Sequence, residues 1–234
     1  MKRVLDVIIS GIGLWVLALV TPFVALAIIF DSRGSIFYRG VRVGKNGKLF
    51  KIFKFRTMID GADRCGPKLT YRNDPRITRV GGILRRLKID ELPQLINVFL
   101  GQMSIVGPRP EDPQYVSHYT AGQRAILSVK PGITGPAQIH YVDIESHMDP
   151  SKFNEQYIDE IIPEKFRFNM LYIQNRSLGL DLKILWRTIL SLFRIEITRV
   201  KNNRNARNTR NTHNTHNTRN GLKSKDKTPT ESIE

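Results

Sequence analysis

The sequence predicts an α+β protein. It should have an N-terminal proline-broken membrane helix, a small β-hairpin, and a mostly helical body with amphipathic helices suited to an interface. Three observations carry this. Val7 to Phe30 is an uncharged, almost wholly apolar run of 24 residues. Asn46-Gly47 separates two short strand-like runs. After Ile77, apolar residues recur at helical rather than alternating spacing. The chain thus divides into a membrane segment over 1–31, a body over 32–198 and a tail over 199–234.

Composition narrows the partners. The 234 residues, 41% of them hydrophobic, suffice for one compact core. The formal net charge is +16. From Lys201 onward 8 Lys and Arg face 3 Asp and Glu, a contribution of +5, so the remainder keeps +11. A basic body implies an anionic partner: nucleic acid, anionic lipid or a phosphorylated substrate. Cys65 is the sole cysteine, which excludes an intramolecular disulfide and a thiolate metal cluster.

Asp6 and Asp31 bracket the apolar run, which is long enough to span a bilayer with tilt. It exceeds a signal-peptide core and no A-x-A site follows it. Pro22 removes one helical hydrogen bond and favours a kink, and the Thr21 hydroxyl can satisfy a freed carbonyl. From Val7 to Thr21 a helix rises roughly 22 Å, short of the roughly 30 Å hydrocarbon core. The helix could therefore bend at Pro22 and leave by the face it entered. Lys2 and Arg3 before it, with Arg33, Arg39 and Arg42 after it, favour both ends on the cytoplasmic side. A kinked single span is the alternative, and the residues alone leave the two open.

Ile36–Val43 and Leu49–Phe55 read as strands joined through Asn46-Gly47, a strong hairpin signal. Lys54 and Arg56 are two apart and share a face; taken alone, that reads as a solvated edge strand. Gly61 to Pro75 is loop-like. Ile77, Val80, Leu84 and Leu87 then mark a helix, with Arg79, Arg85 and Arg86 off its apolar stripe. Those arginines suit either solvent or phosphate.

Asp90 is placed to cap a helix over Glu91–Phe99, with Pro93 in its first turn. Most Asp-Glu pairs at such a place only cap and complement the dipole. Two points favour chemistry. A helix start offers N–H groups to an anion, and it keeps a carboxylate ionised, as a carboxylate nucleophile requires. Neighbours on a helix point about 100° apart, so one carboxylate can attack while the other holds metal or a proton. Val106-Gly107-Pro108-Arg109-Pro110 is a stiff loop that presents Arg109, whose planar fork suits phosphate. Lys130 to Gln138 is a second Pro/Gly loop, in which Thr134 and Gln138 could line a site. Asp143 and Glu145 suit a sugar or solvent, and His140 and His147 lack a familiar metal spacing.

Tyr157–Asn175 and Ser177–Ile195 read as helices. The second combines Leu178, Leu182, Leu185 and Ile189 with Lys183, Trp186 and Arg187, a basic amphipathic pattern suited to lying on a membrane or packing on the core. From Lys201 the composition turns to Asn/Thr/Arg/His low complexity, which cannot form a core and is expected to be disordered.

Several stretches occur in a telling order: Lys2-Arg3-x-x-Asp6, the proline-interrupted apolar segment, Lys54-Phe55-Arg56-Thr57-Met58, Asp90-Glu91-Leu92-Pro93-Gln94, Gly107-Pro108-Arg109-Pro110 and Pro131-Gly132-Ile133-Thr134-Gly135. Together they resemble the bacterial sugar transferase family, the monotopic polyprenyl-phosphate phosphoglycosyl transferases, over Lys2 to Ser191. The resemblance implies a re-entrant membrane helix broken at Thr21-Pro22, where the family has Ser-Pro. It implies a catalytic domain on the cytoplasmic face of the bacterial inner membrane. Its substrates would be a UDP-sugar and polyprenyl phosphate, with membrane lipids around it and Mg²⁺ as cofactor. By that match Asp90 attacks the β-phosphate, UMP leaves, and the lipid phosphate takes the phosphosugar from the aspartate. Glu91 would assist through metal or proton, so Asp90 and Glu91 are both candidate metal ligands. Arg85 and Arg109 match phosphate-holding positions, with Lys54 and Arg56 beside them. Analogy also allows a homodimer. The chain departs from the pattern at Pro136, where many members have Trp, and at His140-Tyr141-Val142-Asp143, where many have an Asn-Gly-Arg-Asn-like stretch. The sugar is therefore not inferred. Larger members carry extra N-terminal membrane helices, so this chain is expected to be a minimal catalytic unit.

Three other readings compete. A membrane-anchored nucleic-acid-binding protein would explain the charge, but aromatics are not interleaved with the basic residues, so nucleic acid is not expected. A glycosyltransferase releasing UDP would ordinarily show Asp-x-Asp, which is missing. A non-catalytic scaffold follows if the carboxylates are only structural.

Overall fold

The computed structural model describes residues 1–66, 70–71, 74–140 and 153–191. Asp143, Glu145, His147 and the low-complexity tail lie outside the described residues. The chain separates into a unit Met1–Thr188 and a unit Ile189–Glu234; of the second, only 189–191 are described, all helical.

Helix α1 (Lys2–Asp31) runs unbroken through Pro22. The proline therefore does not end the helical assignment. One missing hydrogen bond does not end a helix whose turns on both sides are packed. Thr21 Oγ1 does donate to a carbonyl, but to that of Leu17 at 2.7 Å, in the ordinary back-bonding pattern. Asp6, Ser10, Leu17, Val24 and Ile28 are buried, a stripe at helical spacing that runs the length of α1. The opposite face is bare and apolar: Trp15 is 69% exposed, Phe23 75% and Phe30 86%.

Both ends of α1 are tied to the body by polar bonds. Lys2 Nζ donates to the Val106 carbonyl at 2.9 Å, to Tyr172 Oη and to Asp181. Arg3 donates to the carbonyls of Val98 and Phe99. Asp6 accepts from Ser104 Oγ and, at 2.9 Å, from the Ile105 N–H. At the other end, Arg56 donates to the carbonyls of Ser32 and Arg33. Lys2 and Arg3 thus serve as docking groups as well as a basic flank.

The hairpin is present. Strands β1 (Phe37–Tyr38) and β2 (Val41–Val43) pair antiparallel with β4 (Lys54–Phe55) and β3 (Leu49–Lys51). Phe37 faces Phe55 and Val43 faces Leu49 in one continuous register, interrupted around Gly40 and Phe53. At its tip Asn46 and Gly47 both take positive φ, 56° and 75°, the conformation for which Asn-Gly is suited.

Helix α2 (Arg79–Arg86) is capped by Thr78, which accepts from Gly81 N, and by Asp31, which accepts from Val80 N at 2.8 Å. The end of α1 thus helps start α2. Helix α3 (Gln94–Phe99) begins later than expected, and Asp90 does not cap it. Asp90 lies instead inside a 3-10 turn, Ile89–Glu91. Pro93 sets the first turn of α3 with helical backbone, and no side chain caps it.

The two Pro/Gly loops are one structural unit. Strands β5 (Ser104–Val106) and β6 (Gly132–Thr134) pair in parallel. Gly107 N donates to the Thr134 carbonyl and Gly132 N to the Pro108 carbonyl, both at 2.8 Å. A methyl at Gly132 would collide with the Gly107 backbone, which is why a glycine stands there. After two short helices, α4 (Pro113–Val116) and α5 (Pro136–His140), the helices α6 (Phe153–Gln156) and α7 (Ile162–Asn175) are joined by a π-helical turn, Tyr157–Ile161, just before Pro163. Helix α8 runs from residue 178 to the end of the unit. Ile184 and Tyr172 join Val98, Met103 and Ile105 in the main core, and Leu182 and Trp186 are exposed.

Candidate active site

The site begins at Lys88. Its left-handed backbone, φ 57°, turns the chain from α2 into the 3-10 turn that carries Asp90 and Glu91. That conformation costs a non-glycine residue about 1 kcal/mol or more, and such strain concentrates where geometry matters. Buried Leu84 and half-buried Ile89, packed against the stripe of α1, hold the turn from both sides.

The two carboxylates have separate electrostatics. Asp90 is only 6% exposed, and its Oδ1 is buried with no hydrogen-bond partner among the described residues. Burial pushes its pKa up; the Lys54 charge opposes this, and the Glu91 charge adds to it. Glu91 is more completely paired. Its Oε1 accepts from Lys54 Nζ at 2.8 Å and from Arg109 at 2.6 Å, and its Oε2 accepts from Arg109 at 3.2 Å. Burial alone would raise its pKa, but Arg109 and Lys54 outweigh that and hold it well below the usual glutamate range. Lys54 is pushed down by burial and partly restored by Glu91. Neighbouring carboxylates driven apart in this way are suited to different tasks.

Six of the candidate site residues singled out in the sequence line one cavity of about 990 Å³: Lys54, Arg56, Arg85, Asp90, Glu91 and Arg109. Arg85, in the last turn of α2, donates to Thr57 Oγ1 at 2.7 Å and to Thr70 Oγ1 at 2.8 Å. Arg109 comes from the loop braced by the β5–β6 pair. The terminal guanidinium nitrogens of Arg56 are committed to the Ser32 and Arg33 carbonyls at the end of α1. Thr21 and Pro22 lie in α1. Among the described residues, no three His, Cys, Asp or Glu are grouped to hold a metal ion.

Three participants escaped the sequence reading. Thr57 orients Arg85; its place in the Lys54–Met58 stretch was the available signal. Lys88 sets the turn, and nothing in the sequence marks a lysine for positive φ. Gln94 is buried on the cavity wall with its amide nitrogen unsatisfied among the described residues. A buried, unsatisfied donor lining the same cavity as an unsatisfied carboxylate oxygen is unusual away from a functional site.

Residues 1–195 match the family described as bacterial sugar transferase. The chain is 40% identical over 199 residues to an undecaprenyl-phosphate glucose phosphotransferase of Komagataeibacter xylinus, covering 80% of this chain and 35% of that protein. It is 37% identical over 217 residues to the exopolysaccharide production protein PSS of Rhizobium leguminosarum bv. phaseoli, covering 86% of this chain and 97% of that one. It is 36% identical over 195 residues to a UDP-glucose:undecaprenyl-phosphate glucose-1-phosphate transferase of Klebsiella pneumoniae, covering 82% of this chain and 40% of that one. The chain thus spans little more than a third of the first and third relatives and nearly all of the second. With a family match over most of its length, the chain belongs to the bacterial sugar transferases.

Proposed function

We propose that this chain transfers a sugar-1-phosphate from a UDP-sugar to undecaprenyl phosphate at the cytoplasmic face of the bacterial inner membrane. The observation that carries the reading is Asp90: a buried carboxylate with a bare oxygen, in a cavity also lined by Lys54, Arg85 and Arg109. The names of the Komagataeibacter and Klebsiella relatives support the donor and acceptor classes.

A carboxylate oxygen of Asp90 attacks the β-phosphorus and forms an aspartyl O–P bond. The bond from that phosphorus to the bridging oxygen breaks, and UMP leaves with the electron pair. An oxygen of the lipid phosphate then attacks the same phosphorus. The aspartyl bond breaks and Asp90 returns as a carboxylate. Glu91 aims Lys54 and Arg109, and the released charge falls among these cations and Arg85. Magnesium binds through one or two carboxylates plus substrate phosphates, so Asp90 Oδ1 with the diphosphate fits such an ion without a three-residue cluster. Glu91 could join it only by loosening its pairs. When bound, the ion would offset diphosphate charge.

The same reading places α1 in one leaflet. Lipid tails solvate apolar side chains as well as protein does, so apolar contact alone would not hold the helix to the body. The polar bonds at Lys2, Arg3 and Asp6 and at Asp31 to Arg33 supply that hold. A helix tied at both ends to one soluble body returns to the side it started from, with its bare face in lipid.

The test is UMP release from a panel of UDP-sugars with undecaprenyl phosphate and Mg²⁺. Wild-type protein is expected to release UMP and form lipid-linked product, and Asp90→Asn to lose both. Full activity in Asp90→Asn would rule out the nucleophile assignment, and release of UDP instead of UMP would rule out the reaction class.

A further inference from the structure

The Asp90 cavity has a second polar wall that the phosphate chemistry does not use. Glu111, Tyr157 and Lys165 all line it. The Tyr157 hydroxyl donates to Glu111 Oε1 at 2.8 Å and accepts from Lys165 Nζ at 2.8 Å. Lys165 Nζ lies 3.6 Å from Glu111 Oε1 and 4.6 Å from the centre of the Tyr157 ring. Tyr157 itself is wholly buried and packs at 4.7 Å on the equally buried Tyr115. The Glu111 and Lys165 side chains keep 14% and 16% of their surface exposed.

The wall is firmly built from three directions. Glu111 follows Pro110, and its carbonyl accepts from Val43 N of the hairpin at 3.0 Å. The next residue, Asp112, accepts from Arg42 at 2.9 Å. Tyr157 opens the π-helical turn. Such turns are rare, and they frequently mark functional sites.

We infer that Glu111 and Lys165, clamped by Tyr157, form the subsite that grips vicinal hydroxyls of the donor's sugar ring. This deepens the transferase reading and rests on it. A carboxylate only accepts and an ammonium only donates, so the pair matches two adjacent hydroxyls, each of which can do both. The location selects the sugar over the ribose. Glu111 is two residues beyond Arg109, at most about 7 Å along the backbone. A β-phosphate beside Asp90 and Arg109 carries the sugar directly, whereas the ribose lies one phosphate further off. A site that hydrogen-bonds hydroxyls discriminates strongly, because an unmatched epimer leaves buried polar groups without partners.

The experiment uses the full chain in lipid nanodiscs with UDP-glucose, UDP-galactose and UDP-N-acetylglucosamine as donors and UMP as competitive inhibitor. Glu111→Gln and Lys165→Met are expected to lower kcat/KM for the preferred donor about tenfold or more. They should also compress the ranking among donors and leave UMP inhibition within about twofold. Tyr157→Phe keeps the buried ring and should give a smaller loss with the same signature, and it serves if either other variant fails to fold. Unchanged donor ranking in folded variants would overturn the subsite, and so would equal weakening of UMP and of every donor. Wild-type protein that releases no UMP from any donor overturns the transferase reading instead, so the two failures are told apart.

Discussion

Asp90 and Glu91 are adjacent, yet the fold gives them opposite proton affinities. Burial raises Asp90, while two cations hold Glu91 down. If Asp90 must be ionised to attack, activity is low below its folded pKa and rises as pH passes through it. The acid limb of kcat/KM should therefore lie above the ordinary aspartate range. Lys54→Met, which removes a charge that lowers Asp90, should move that limb higher still; a pH–rate profile checks both. Glu91→Gln tests the other carboxylate. It removes the carboxylate charge that both Lys54 and Arg109 bond, so a loss of about 3 kcal/mol is expected, read as a lowered unfolding midpoint in detergent. The sequence singled out the pair as candidate chemistry and assigned its members different roles. Their opposite proton affinities were not legible there, because they depend on burial and on Lys54 and Arg109, which are 37 and 18 residues away from Glu91.

At the scale of elements, the hairpin was the most legible part. Asn46-Gly47 encodes its own positive φ angles, so a local signal sufficed. Helix α2 and the span of α7 were legible for the same reason: spacing and caps are local. The β5–β6 pair was not. Each partner is a three-residue strand inside a Pro/Gly loop, and parallel pairing is a long-range property. Only the glycines hinted at two backbones in close approach. Gly132→Ala forces those backbones apart beside Arg109. It is expected to cost about 3 kcal/mol or more and to reduce turnover in the protein that still folds, checked by thermal unfolding and by UMP release.

The unit Met1–Thr188 is organised around α1. Its N-terminal end bonds residues 104–106 of β5, which lead into the Arg109 loop. Its C-terminal end caps α2, which carries Arg85, and is gripped by Arg56. Helix α1 therefore supports both cationic arms of the site. Asp6→Ala removes an acceptor from the buried Ile105 N–H, a cost of about 1–3 kcal/mol. It is expected to lower UMP release although Asp6 lies in none of the cavity walls, and an unchanged rate with the same melting point would count against the coupling. Leu19→Arg with Phe23→Arg places charge on the bare face. Carbonate extraction of vesicles should then release the protein more readily than wild type, since no buried contact of α1 is altered.

The sequence by itself determined the elements whose signals are local: the long apolar helix, the Asn-Gly hairpin, the arginine-bearing α2, and the ordered motifs that carry the family resemblance. It also named six candidate site residues that line the cavity. Tertiary structure alone decided that α1 stays helical through Pro22, that Asp90 sits in a 3-10 turn rather than capping a helix, and that Arg56 serves the end of α1. It alone joined the two Pro/Gly loops and set Glu111 against Lys165. The physical reason is common to all of these. A turn or a helical stripe depends on dihedral preferences and spacing within a few residues, whereas proton affinity, docking and the wall of a cavity depend on which distant groups are desolvated together.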